Sequence, residues 1–320
     1  MKVLITGVAG FIGSNLADRI LKEGHSVIGI DNLSYGELAN IENFKNHDSF
    51  TFIKKDLNDA GVLDGLEADV VYHLASQKIP RYSSSYKTIV ENSKLLDNVL
   101  AFCMKVKARL IYASTSDVYG KNPDVPFSEE SNLVMGPTNV KRWAYATSKM
   151  HGEHKIQAYH EEKGLQYTIV RFFGSYGENQ NRTWWGGPQS VFIAKALKEE
   201  PLEIHGDGLQ TRTFTYILDT VEALYLCLIK TEAHNDIFNI ASNPTEEVTI
   251  LDLGKLIYKM IHPNMEPKID MIPYASFGKY EDVMRRVPDI TKIKTKLGFE
   301  PVHTLKEGLE RTIEWQKARS

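Results

Sequence analysis

The chain has 320 residues, 42% of them hydrophobic and 25% charged, with a formal net charge of −3. That composition suits a soluble globular protein of one large domain or two lobes, with no basic field to draw a nucleic acid or a membrane. No apolar run reaches the ~18 residues a membrane helix needs and no signal peptide precedes the first strand, so a cytoplasmic location is expected. Cys103 and Cys227 lie in apolar helical patterns and read as small buried hydrophobes, with neither a disulfide nor a metal site expected.

The apolar run Val3-Leu4-Ile5-Thr6 ends at Gly7, Gly10 and Gly13 follow, and Ile12, Leu16, Ile20 and Leu21 then share one helical face. Strand, tight turn and helix with glycines at this spacing let a pyrophosphate lie against backbone N–H groups at the helix start, where Phe11 and Ile12 sit. The next strand, 26–30, ends in Asp31-Asn32, an acceptor for the adenosine ribose about 20 positions on. Asp31 would also repel a 2′-phosphate, which favours NAD over NADP. A bound dinucleotide is the expectation.

Strands and helices keep alternating. A third strand, 50–53, leads to Asp56-Leu57, where Asp56 either caps the next helix or, as the strand-end position favours, contacts adenine. A fourth, 70–76, brings Leu74, Ala75 and Ser76 towards the cofactor and makes His73 a core histidine. A helical pattern over 86–107, a strand over 109–113, a helix carrying Tyr145 and Lys149, and a strand over 166–173 complete the series. This is an α/β fold, a Rossmann-type doubly wound parallel sheet.

Between 174 and 188 the chain turns rich in Gly, Asn, Trp and Pro, which reads as a loop. Shorter elements follow: helices over 190–199, 218–230, 250–261 and 305–318, and strands over 202–204 and 237–240. They predict a smaller C-terminal substrate-binding lobe of residues 174–212 and 242–320, with 1–173 forming the dinucleotide domain and 213–241 returning to it.

Tyr145 and Lys149 are four apart and share a helix face. A phenol of ordinary pKa near 10 takes a proton from a sugar hydroxyl at neutral pH only beside a cation, which Lys149 and a positive nicotinamide ring would supply. Ser114-Thr115-Ser116 ends a strand on the same edge, so a hydroxyl there either holds that substrate oxygen or is a solvated turn. Asp117 either caps a helix or, the preferred reading, serves a second proton transfer that hydride transfer alone does not need.

Thr6-Gly7-x-x-Gly10-x-x-Gly13, Asp31-Asn32, Ser114-Thr115-Ser116-Asp117-Val118-Tyr119-Gly120, Tyr145-x-x-Ser148-Lys149, Arg171-Phe172-Phe173 and Gly206-Asp207-Gly208-x-Gln210-x-Arg212 together resemble the extended short-chain dehydrogenases that modify nucleotide sugars. These are NAD-dependent epimerases, dehydratases and decarboxylases. The resemblance implies NAD held tightly and a UDP- or other NDP-sugar bound across the lobes. The sugar is oxidised at C4, and a second step follows near the ketone. It makes Tyr145 the base, Lys149 its partner and ribose ligand, and Thr115 and Ser116 the hydroxyls beside them. Arg212 and Arg286 become diphosphate clamps, with Gly174, Gln189 and His205 also on the substrate side.

Gly174 stands where the family often has Asn, and Asp117 is one methylene shorter than the family's usual Glu. The stretches around 114–120 and 136–143 are most similar to UDP-glucuronate decarboxylases. Decarboxylation needs a cation for the substrate carboxylate, for which Lys78 and Arg81 are candidates. Dehydration or 5-epimerisation needs Asp117 as acid and base, whereas simple UDP-hexose 4-epimerisation leaves it unexplained. A non-catalytic NAD-binding regulatory protein is the alternative of another class. The loop 181–188 fits no subgroup and is expected to shape the sugar pocket. The resemblance also implies a homodimer through the helices over 86–107 and 145–163.

Overall fold

A computed structural model describes residues 1–78 and 84–319. Its elements, in chain order, are β1 (Lys2–Thr6), α1 (Phe11–Lys22), β2 (Ser26–Asp31), β3 (Phe50–Lys54), β4 (Val70–His73), α2 (Asn92–Val106), β5 (Arg109–Thr115), α3 (Arg142–Lys163), β6 (Tyr167–Phe172) and β7 (Ser175–Tyr176). Then come α4 (Pro188–Leu197), β8 (Leu202–His205), β9 (Thr211–Arg212), β10 (Thr215–Tyr216), α5 (Ile217–Ile229), β11 (Asp236–Ile240), β12 (Val248–Thr249), α6 (Ile250–Ile261), β13 (Ile269–Ile272), β14 (Arg285–Arg286), α7 (Thr291–Leu297) and α8 (Leu305–Lys317).

Seven strands form one parallel sheet in the order β11-β6-β5-β4-β1-β2-β3. Strand side chains alternate between faces, and here both faces are covered. Val3 and Ile5 of β1 enter a core with Leu16 and Ile20 of α1, while Leu4 between them enters a second core with Leu96, Val99 and Leu100 of α2 and Ile156 of α3. The strand order reverses between β1 and β4. At such a point the connecting helices leave to opposite faces, and a crevice opens at the carboxyl ends of the strands.

Residues 213–241 contribute α5, packed against α1, and β11, paired with β6 at the sheet edge. Beyond the sheet, α4, α6 and α8 pack together beside the β8–β13 pair. A small sheet, β12-β9-β14, lies in the same region. Thr249 caps α6 through the Asp252 N–H, and Thr304 with Glu307 closes a capping box on α8. Among the described residues no helix is long and apolar enough to cross a membrane. Both cysteines are buried, and burial pushes each thiol up to about 12.

Two elements differ from their sequence patterns, and several more had no pattern. The helical pattern over 86–107 is divided into a wider π turn, Lys87–Glu91, and α2, which ends where Lys107 turns left-handed at φ 61°. β4 stops at His73, because the Leu74 and Ala75 N–H groups leave the ladder to bond the Thr6 hydroxyl at 3.2 and 3.1 Å. α7, β13 and the two-residue strands were not visible in any period.

Candidate active site

The carboxyl ends of the sheet strands border a cleft of about 270 Å³. Gly7 takes φ 75°, and a Cβ on Gly13 would lie 2.2 Å from the Gly7 carbonyl oxygen, so the turn closes only with glycine there. Gly10 caps α1 without a side-chain bond, and no acid lies in the first turn. The helix start therefore keeps N–H groups and positive dipole for an anion. Asp31 Oδ2 accepts from the Ala9 N–H at 3.0 Å and Oδ1 from the Leu33 N–H at 2.8 Å. Burial raises this carboxyl above its ordinary value, with the two N–H bonds opposing. Gly10, Phe11, Ile12, Leu57, Leu74, Ala75, Ser76 and Lys78 line the same cleft, which suits an extended ligand with a pyrophosphate at its middle.

Asp56 also faces this cleft. It accepts from Asn32 Nδ2 at 2.7 Å and from the Asn58 N–H at 2.8 Å, so it shapes a turn, and no helix follows it to cap. His73 is 2% exposed beside Thr6, and burial with the nearby Lys149 charge pulls it down to about 3, so it is a neutral core histidine.

At the far end of the cleft stand Tyr145 and Lys149 of α3. Burial, with the negative charge of Asp117 adding to it, holds the phenol well above its ordinary value, while the Thr115 hydroxyl beside the phenol works to lower it. Lys149 Nζ donates to the Ala113 carbonyl at 2.8 Å and lies 6.0 Å from the Tyr145 ring centre. Burial pulls this ammonium down to about 7, although Glu153 works against that. Lys149 alone does not offset the burial of the phenol; the sequence expectation paired it with a positive nicotinamide ring. The further positive charge has to arrive with a ligand.

The three hydroxyls at the end of β5 divide their work. Ser114 donates to Glu153, itself paired with Arg171 through Nη2–Oε2 at 2.6 Å and Nε–Oε1 at 3.0 Å. Ser116 accepts from Arg286 at 3.3 Å. Thr115 faces Tyr145 and lies 3.5 Å from Asp117 Oδ2.

Asp117 belongs to a cluster of ions. Arg286 Nη2 is 2.8 Å and Arg142 Nη2 3.1 Å from Asp117 Oδ1, while Arg142 Nη1 is 3.3 Å and Arg212 Nη2 3.0 Å from Asp282 Oδ1. β9 and β14 set this up, because their parallel register puts Arg286 directly beside Arg212. Burial would raise the Asp117 carboxyl, but Arg286, Arg142 and Arg212 outweigh it and hold the carboxyl below its ordinary range. Asp282 is held lower still, where burial is again outweighed, chiefly by Arg142 and Arg212. Burial and the adjacent Arg286 pull Arg212 down to about 10. Three guanidiniums face two carboxylates, and the Nε atoms of Arg142 and Arg286 are buried without a partner among the described residues.

The other expected substrate contacts are scattered. Gly174 is exposed at φ 49° after Phe173 and is not part of the cleft lining. Gln189, in the first turn of α4, is 2% exposed with Nε2 unpartnered among the described residues. His205 stacks on Trp184 at 4.3 Å between ring centres. Lys78 is exposed at the cleft, and Arg81 lies outside the described residues. From the loop 181–188, Asn181, Trp185 and Gly186 line the same cleft as Tyr145 and Lys149. Sequence reasoning missed Arg142, Asp282 and Glu153. Arg142 had a signal, three residues before Tyr145 on one helix face, but Asp282 lies in a stretch without pattern.

Residues 3–241 match the NAD dependent epimerase/dehydratase family. The chain is 35% identical to UDP-N-acetyl-alpha-D-glucosaminuronate decarboxylase of Bacillus cytotoxicus, over 98% of this chain and 97% of that one. It is 36% identical to UDP-glucuronic acid decarboxylase 1 of Danio rerio, over 98% and 72%. Among solved structures, UDP-glucuronic acid 4-epimerase from Bacillus cereus, in complex with UDP-glucuronic acid and NAD, superposes with a TM-score of 0.88 at 28% identity over 100% of both chains. UDP-glucose 4-epimerase from Thermotoga maritima, with UDP-glucose, gives 0.88 at 29% over 100% and 99%. The glycine turn, the open start of α1 and the Tyr145–Lys149 pair are thus the local chemistry of a wider kinship, and the chain belongs to the NAD-dependent epimerase/dehydratase family of enzymes.

Proposed function

We propose that this enzyme oxidises a UDP-uronate at C4 and then releases its C6 carboxylate as carbon dioxide. The observation that carries this reading is the ion cluster beside Tyr145, where, among the described residues, three guanidiniums meet two carboxylates. The surplus charge and the unpartnered Nε atoms suit an anionic substrate. Arg212 and Arg286, on the paired β9 and β14, would take the diphosphate. Arg142, on the Tyr145 helix, is left for the sugar's own carboxylate. Two relatives named as uronate decarboxylases support the same substrate class.

The open start of α1, Asp31 and Lys149 would hold NAD, which when bound would accept the hydride from C4 and give it back to C4 once C5 has taken its proton. Tyr145 takes the C4 hydroxyl proton, with Thr115 holding the same oxygen. The C6 carboxylate is then β to a ketone. Its bond to C5 breaks with the electron pair moving towards the C4 oxygen, where the Tyr145 and Thr115 hydroxyls stabilise the developing charge. C5 finally takes one proton, from a water that Asp117 orients. Dehydration or 5-epimerisation would instead require a base to remove the C5 proton, and a carboxylate held below its ordinary range is a weak one. Decarboxylation needs no such base.

Mass spectrometry of reactions with UDP-glucuronate and UDP-N-acetylglucosaminuronate tests this. A product lighter by carbon dioxide supports it. A product of unchanged mass means 4-epimerisation, and loss of water means dehydration. Residues 174–212 and 242–320 form the substrate lobe in this reading, a division supported by the pairing of β11 with β6. The exposed Tyr86, Ile89 and Val90 before α2 support a homodimer through α2 and α3. A cytoplasmic location is supported by the two unpaired cysteines.

A further inference from the structure

Three separate segments meet over the dinucleotide cleft at one side chain, Tyr35. Tyr35 follows β2 and is 41% exposed. Its ring stacks on Trp185, from the loop before α4, with ring centres 4.3 Å apart and 34° between planes. Its hydroxyl donates to Gln77 Oε1, from the segment after β4, at 3.3 Å. All three residues line the cleft.

Each end of this span is anchored. The Gln77 backbone is held on both sides by the Asn92 amide, which accepts from its N–H at 2.8 Å and donates to its carbonyl at 3.0 Å. Trp184, next to Trp185, stacks on His205 and meets Phe192 edge-on, which roots the loop in the lobe. Gln180 ties the loop together by donating to the Gly186 carbonyl and accepting from Ser190. Asn179 donates to Ser14 of α1 at 3.1 Å, and the Glu178 carbonyl accepts from Asn15 at 3.1 Å, so the loop is also fastened to the dinucleotide-binding helix. What lies free to part is the ring contact itself.

We propose that Tyr35 and Trp185 form an aromatic latch across the dinucleotide cleft and that parting of the two rings sets the rate at which the cofactor leaves. The latch joins the loop after β2 to the substrate lobe, so a closed latch keeps the dinucleotide in place from one sugar to the next. This inference needs only a bound dinucleotide and stands apart from the identity of the sugar.

The test is release of NADH from the full-length protein, read by its own fluorescence after rapid mixing with excess NAD. An aromatic pair of this kind predicts release roughly three- to ten-fold faster in W185A and in Y35A. The double variant is no faster than the faster single one, because both changes open the same contact. W185F, which keeps a ring to stack, releases at the wild-type rate. Purified W185A also carries less bound dinucleotide than wild type. Wild-type release in W185A, or a double variant whose acceleration is the product of the two single ones, overturns the latch.

Discussion

Arg142 Nη2 lies 3.1 Å from Asp117 and Nη1 3.3 Å from Asp282, so one guanidinium, one helical turn before Tyr145, joins both carboxylates. Removing Arg142 breaks a contact to each carboxylate but leaves Arg286 on Asp117 and Arg212 on Asp282, so the loss is that of the broken charged hydrogen bonds. Arg142→Gln should cost about 3 kcal/mol of stability. Both carboxyls are held low in the folded chain, so their contribution is present above the ordinary carboxyl pKa and is lost as pH falls through the folded values. Arg142→Gln raises those values. Acid unfolding of the variant should therefore begin at a higher pH than in wild type, and coincident acid transitions would contradict the assignment.

Lys149 gives the opposite linkage. Burial pulls its pKa to about 7 in the folded chain. From about pH 7 to about pH 10 the unfolded chain holds a proton there that the folded chain does not, so stability rises with pH across that window. Lys149→Met should flatten this rise. Urea melts of both proteins at a series of pH values measure it.

Glu153 is 3% exposed and accepts from Ser114 and, through both oxygens, from Arg171. Glu153→Gln strands the buried Arg171 charge and should cost about 3–5 kcal/mol, read by chemical denaturation. A loss below about 1 kcal/mol would mean that the site relaxes around the change.

Asp117→Asn should leave C4 oxidation and loss of carbon dioxide intact while delivery of the C5 proton slows. Absorbance of reduced dinucleotide should then build up after one addition of UDP-uronate. An undiminished yield of final product would remove Asp117 from the reaction. Tyr145→Phe should lower turnover by at least about 10²-fold while dinucleotide binding persists, which separates proton transfer from cofactor affinity.

The sheet was legible because its signals are local. The turn at Gly7, Gly10 and Gly13, the strand ending at Asp31 and the one-turn spacing of Tyr145 and Lys149 each need only neighbouring residues. The ion cluster was only half legible. Asp117 could be named from its place after the hydroxyls, and Arg212 and Arg286 through a resemblance, but their meeting with Arg142 and Asp282 depends on β9 and β14, two-residue strands that carry no period. The loop of Trp185 was read only as a pocket-shaping segment, and its place on the cleft beside Tyr35 was not foreseen. The loop is drawn there by the bonds of Glu178 and Asn179 to α1, which no spacing records.

The account rests on the fate of one carbon. UDP-glucuronate or UDP-N-acetylglucosaminuronate labelled at the carboxyl carbon, followed by NMR during turnover, should pass its label into carbon dioxide and bicarbonate and leave an unlabelled sugar nucleotide. A label that stays in a nucleotide sugar inverted at C4 would contradict the account.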